Sequence, residues 1–162
     1  MLIALLLSAS SPTFDSLHFF AGRTRGEGRL KLLIHRSRAV GVSGFGRVDA
    51  DGALVLDQQV SQDGKPPRSR RWRLVRTAAG QYSGTLSDAR GPVLAEVEGP
   101  RLHLRFTSKG GFRVQQWLTL AADGRSASNH LEARRLGLVV ARLDETITRV
   151  DQRASGSLPG PS

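Results

Sequence analysis

Gly91-Pro92-Val93-Leu94-Ala95-Glu96-Val97-Glu98-Gly99-Pro100-Arg101-Leu102-His103-Leu104-Arg105-Phe106 contains two runs that each alternate with a period of two. Val93, Ala95 and Val97 share one side, with Glu96 and Glu98 opposite. Leu102, Leu104 and Phe106 share one side, with Arg101, His103 and Arg105 opposite. Successive side chains of an extended chain point to opposite faces, so each run reads as a strand with one apolar and one polar face. Gly99-Pro100 leaves room only for a tight turn between them. So short a connection makes the two strands antiparallel neighbours, because parallel pairs need a long crossover.

The same pattern extends both ways, with turn signals about every ten residues, the spacing of all-β sandwiches and barrels. Upstream, Leu30 and Leu32 alternate with Arg29 and Lys31, and Val40, Val42, Gly44, Gly46 and Val48 share a face. Turns at 49–52 and 63–67 introduce strands over 53–62 and 70–76, and Ala79-Gly80 opens onto Tyr82, Gly84 and Leu86. Downstream, Gly110-Gly111, Asp123-Gly124 and Gly137 introduce strands over 112–120, 127–133 and 138–150. Gly137 and the Val139-Val140 pair argue against a helix over 131–140. The prediction is an all-β, antiparallel up-and-down meander of about ten strands closed into a barrel, since closure removes exposed edges. Gly inside strands supplies the coiling a barrel needs. A β-sandwich is the alternative.

The length, 162 residues and 17.5 kDa, suits one domain, expected over 14–151. With no Cys, disulfides, thiolate metal sites and thiol nucleophiles are excluded. Residues 1–10 are an apolar run ending in Ser8-Ala9-Ser10, which reads as a short signal peptide and predicts a periplasmic or secreted product. The Ser/Gly/Pro-rich residues 154–162 read as a disordered tail. The net charge of +10, from 24 basic and 14 acidic residues, favours anionic partners. Nearly all of the positive charge is arginine, a skew that codon usage produces without any binding role.

Chemistry-bearing motifs are absent. His18, His35, His103 and His130 lack metal-ligand spacing, so no metal or other cofactor is expected. Gly41-Val42-Ser43-Gly44-Phe45 has Phe where a nucleophile elbow needs Gly, and Gly44-Phe45-Gly46 does not continue into a dinucleotide fingerprint. No catalytic residue is therefore assigned, and the chain is expected not to be an enzyme. Asp144 and Glu145 point to opposite faces, so they cannot act as a pair. If Val139, Ala141, Leu143 and Ile147 face the core, Glu145 points inward, where an Arg partner is expected because a buried carboxylate needs one. Gln58, Gln59, Gln115, Gln116 and Asn129 are strand-interior amides, some of which must face inward. The predicted ligand site is Gln58, Trp72, Tyr82, Gln116, Asn129 and Glu145, on an inner face that includes Leu30, Val40, Val55, Leu104, Phe106 and Leu118. A fully packed barrel with satisfied amides is the competing reading. Arg68, Arg70, Arg71 and Arg73 form the densest basic cluster and read as a face for anionic lipid or lipopolysaccharide. Aromatic residues are only 6% and mostly in phase with apolar neighbours, which disfavours nucleic acid as a partner.

Two resemblances add to this. Phe19-Phe20-Ala21-Gly22-Arg23-Thr24 resembles the opening of calycin barrels, with Thr24 where lipocalins place Trp. In that family an Arg of the last strand covers the Trp; Arg142 and Arg149 match by position. Phe20-Ala21-Gly22, residues 51–58, Asp63-Gly64-Lys65, residues 71–74, residues 82–89 and residues 137–140 are together similar to the bacterial family of unknown function DUF3833. Its members resemble small envelope proteins, many with a lipobox Cys, and carry an Asp-Asp-Trp piece; here there is no Cys, and Gln115-Gln116-Trp117 stands in that place. The family implies an envelope location and supplies no activity. The expected function is a non-enzymatic, exported, lipocalin-like binder of a small apolar or amphipathic molecule. An envelope interaction module using the arginine face, and a small barrel enzyme with an inward carboxylate, are the alternatives.

Overall fold

A computed structural model describes residues 12–150, and the expected signal peptide and tail lie outside them. Ten strands follow one short helix: α1 (Ser16–Phe20), β1 (Gly22–Leu32), β2 (His35–Val48), β3 (Leu54–Gln62), β4 (Lys65–Ala78) and β5 (Gln81–Leu86), then β6 (Ala89–Glu98), β7 (Arg101–Ser108), β8 (Arg113–Leu120), β9 (Ser126–Arg135) and β10 (Leu138–Val150). Each strand pairs with its sequence neighbours, and β1 pairs with β10, so the meander closes into a barrel as the alternation predicts. No described helix is long and apolar enough to cross a membrane.

Closure sorts the side chains by parity. Leu54, Leu56, Gln58 and Val60 of β3 face inward, as do Trp72 and Leu74 of β4, which stand opposite Leu56 and Leu54. Val55 is the exception to the inner face read from sequence. It is buried, but it stands between Arg47 and Arg73 in the register, on the outer wall. The error is a one-residue slip in a run where four consecutive residues, Ala53 to Leu56, are apolar, so the alternation gives no register.

The two ends of the barrel differ. At one end Phe14, Phe19 and Phe20 pack on one another, Phe19 against Phe20 edge-on at 5.0 Å, and close the lumen against the main core cluster. Gly46 makes this possible, since a Cβ there would lie 1.9 Å from the Phe20 carbonyl oxygen. The other end carries the β1–β2, β3–β4, β5–β6, β7–β8 and β9–β10 hairpins and forms the mouth. One step inside it, Leu30, Phe106, Leu131 and Leu143 point inward yet are only half-buried.

Candidate functional site

The register sets Gln58 beside Arg70 and Leu56 beside Trp72 on the inner wall. Gln58 Oε1 accepts from Arg70 Nε at 2.7 Å and from Trp72 Nε1 at 2.8 Å, which ties three side chains into one unit. The Arg70 guanidinium lies 5.6 Å from the Trp72 ring centroid, within cation–π range. On another part of the wall, Glu145 Oε2 accepts from Asn129 Nδ2 at 2.8 Å, an interaction that follows from direct cross-strand pairing of the two residues. Gly26 and Gly28 of β1 clear the space for this carboxyl: a Cβ at Gly26 would lie 1.9 Å from Glu145 Oε1, and one at Gly28 2.9 Å from Glu145 Cβ. Gln58, Arg70, Trp72, Gln116 and Glu145 together line an interior cavity of about 40 Å³.

The electrostatics of the cavity are those of two separated opposite charges. Glu145 is 7% exposed, and burial pushes its carboxyl above the ordinary range, against the Asn129 hydrogen bond and the field of Arg70. Burial likewise lowers the Arg70 guanidinium, against the attraction of Glu145. An arginine nevertheless keeps its proton. Among the described residues no ion pair within contact distance joins the two, so the expected Arg–Glu145 salt bridge is replaced by the Asn129 hydrogen bond. Arg70 keeps some accessible surface although protein surrounds it, and its Nη groups meet no protein acceptor among the described residues. Asn129 Oδ1 is likewise buried without a partner among the described residues.

Four of the predicted ligand residues, Gln58, Trp72, Gln116 and Glu145, thus line one space, and Asn129 stands behind Glu145. Tyr82 does not reach it: the ring is buried lower in the core, and its hydroxyl accepts from Arg76 Nη2 at 3.1 Å. The arginine face breaks up. Arg70 points into the lumen, Arg71 pairs with Asp57, Arg73 pairs with Asp51, and Arg68 lies 3.8 Å from Asp88. The bond from Arg71 holds the Asp57 carboxyl below its ordinary range. Carboxylates on neighbouring strands and turns therefore neutralise what looked like an open stripe. Arg70 is the site residue that the reading misplaced, and its parity with Trp72 was the available signal. Of the two arginines matched by position, Arg149 lies beside Thr24 and reaches α1 through His18 Nε2 at 2.9 Å and the Ala21 carbonyl at 3.5 Å. Arg142 instead pairs with Glu132 on the outer wall.

A closed antiparallel barrel with a helical plug, an apolar lower core and a polar lumen is a lipocalin-like architecture. The chain belongs to the family described as "Protein of unknown function (DUF3833)", whose model matches residues 6–149. No curated protein matches it. Among solved structures it is similar to an S-type phycobiliprotein lyase from Guillardia theta, with a TM-score of 0.66 and 8% identity, over 85% of this chain and 92% of the other. It is also similar to a protein of unknown function of the DUF3598 family from Nostoc punctiforme, with a TM-score of 0.54 and 11% identity, over 87% of this chain and 51% of that one. The lyase corrects one expectation. The same barrel carries an enzyme, so neither the fold nor the missing motifs make this chain a non-enzyme.

Proposed function

We propose that the barrel binds a small amphipathic anion, with its head at Arg70 and its apolar body directed up the lumen to the mouth. The observation that carries this is the interior guanidinium whose Nη groups have no protein acceptor among the described residues. A buried donor without a partner costs free energy, and an anionic head would satisfy two such donors at once in a fork geometry. Above Arg70, the half-buried Leu30, Phe106, Leu131 and Leu143 supply an apolar path. The cavity of about 40 Å³ has room for water but not for such a guest, so binding displaces these mouth side chains. Half-buried Phe106, which meets Trp72 edge-on at 5.7 Å, is one of them. Exported through its N-terminal segment, the protein would meet its ligand in the periplasm or outside the cell.

Titration with a fluorescent long-chain fatty acid tests the reading. The wild type is expected to bind, and Arg70→Gln to weaken binding by about tenfold to a hundredfold, the worth of a charged hydrogen bond. Arg70→Lys should lie between, and binding of the matching neutral alcohol should not depend on position 70. Equal affinity of wild type and Arg70→Gln for the acid, or no binding by the wild type, would overturn it.

A further inference from the structure

The mouth of the barrel carries a surface that the lumen does not use. Its five hairpin tips, residues 31–38, 62–68, 87–91, 108–113 and 134–138, hold ten Lys and Arg against two Asp. The segments at the plugged end, residues 13–18, 49–53, 78–81, 98–101 and 121–125, hold five acidic residues against two Arg. At the mouth, Lys31, Arg36, Lys65, Lys109 and Arg113 are exposed and pair with no carboxylate among the described residues. The molecule is therefore polarised along the barrel axis, with its positive end at the mouth.

The same end exposes apolar side chains. Leu33 and Ile34, the turn residues between β1 and β2, are 67% and 84% exposed, and Leu136 and Leu138 of the β9–β10 hairpin are 96% and 65% exposed. The Leu33 N–H donates to the Val140 carbonyl at 3.0 Å, which joins the two tips into one ridge. Leu136 is also the only described non-glycine residue with positive φ, at 50°. Asn or Gly would adopt that turn conformation without strain and without exposing a large apolar group. Nothing within the described protein offsets either cost at Leu136.

We propose that the mouth docks on an anionic phospholipid bilayer, with Leu33, Ile34, Leu136 and Leu138 entering the headgroup–acyl boundary and the surrounding cations meeting lipid phosphates. A ridge of apolar side chains projecting from hairpin tips enters a soft interface, whereas a flat protein partner would need a broad flat patch. Unpaired cations around them supply the attraction that anionic lipid rewards. This docking stands apart from the Arg70 reading, since no residue is shared.

Sedimentation of the full chain with vesicles tests it, comparing equal parts phosphatidylglycerol and phosphatidylcholine with phosphatidylcholine alone. The wild type should bind the anionic vesicles, less so at high salt, and bind the neutral ones about tenfold more weakly or less. A variant with Leu33→Ser, Ile34→Ser, Leu136→Asn and Leu138→Ser should lose about tenfold in partitioning while keeping the wild-type circular dichroism spectrum. Arg70→Gln should bind vesicles like the wild type. Orientation is read from single labels, because the chain has no Cys of its own. An environment-sensitive dye on Ile34→Cys should shift to the blue on binding, and one on Ala50→Cys, at the plugged end, should not. No wild-type binding, equal binding to neutral vesicles, wild-type binding by the tip variant, or a shift at position 50 alone would each overturn the proposal.

Discussion

Glu145 and Arg70 face one cavity without touching, and that separation decides how each responds to substitution. The folded-state pKa of Glu145 is raised, so its ionisation opposes folding. Its favourable contribution is fully present below the unfolded pKa and is lost as pH rises through the folded one. Glu145→Gln keeps an acceptor for Asn129 and removes the buried charge. It is expected to stabilise the protein by on the order of 1 kcal/mol at neutral pH, with the gain vanishing in acid as the wild-type carboxyl takes up its proton. Urea unfolding of both proteins at neutral and acid pH checks this. A loss of stability at neutral pH would mean that the field of Arg70 outweighs burial. The inward Glu145 was legible from the parity of Val139, Ala141, Leu143 and Ile147. Its partner was not, because Asn129 lies opposite only through a register set by the β9–β10 hairpin and its irregularity between Val139 and Ala141.

Among the elements, α1 is the one that periodicity did not disclose. Five residues are too few for a helical stripe, and so short a helix does not hold its shape alone. Asp15 caps it by accepting from the Leu17 and His18 amides at 3.1 Å, and Phe14, Phe19 and Phe20 anchor it in the barrel end. Phe19→Ala should therefore cost about 3–5 kcal/mol, as large aromatic truncations in cores do. The measurement is chemical denaturation, and a cost within error of zero would show that the plug is dispensable. The strands hold a second lesson about distance along the chain. His103, Trp117 and His130 look scattered, yet antiparallel pairing sets them side by side on the outer wall, with ring centroids 5.1 and 5.9 Å apart. Only strand order and register bring such groups together.

For the whole molecule, the relevant quantities are closure and the distribution of charge. Asp57, Asp123 and Glu132 all have lowered pKa values, through the Arg71 hydrogen bond, backbone amides of Arg125 and Ser126, and the Arg134 hydrogen bond respectively. Their contributions are present above the unfolded pKa and lost as pH falls through the folded values. Thermal midpoints are thus expected to decline once pH drops below about 4, with a small share from each group. A midpoint that stays level into strong acid would show that these pairs do not contribute. Glu145 acts in the opposite sense and at higher pH, so Glu145→Gln should remove a rise in midpoint on acidification from neutral pH and leave the decline below about pH 4 unchanged.

Composition and alternation were enough to specify an antiparallel ten-stranded meander, its polar exterior and the inward Glu145, because strand parity is a local property of the chain, whereas the apolar run before Gln58 left the parity of β3 open. The net charge of +10 was equally plain, but not its address. Which arginines are spent on Asp57 and Asp51, which one enters the lumen, and which cations stay unpaired at the mouth depend on strands brought together across the barrel. The joining of Leu33 to Val140 and the pairing of β1 with β10 are contacts between opposite ends of the chain. Closure creates them, and no local pattern encodes the register at which a barrel closes.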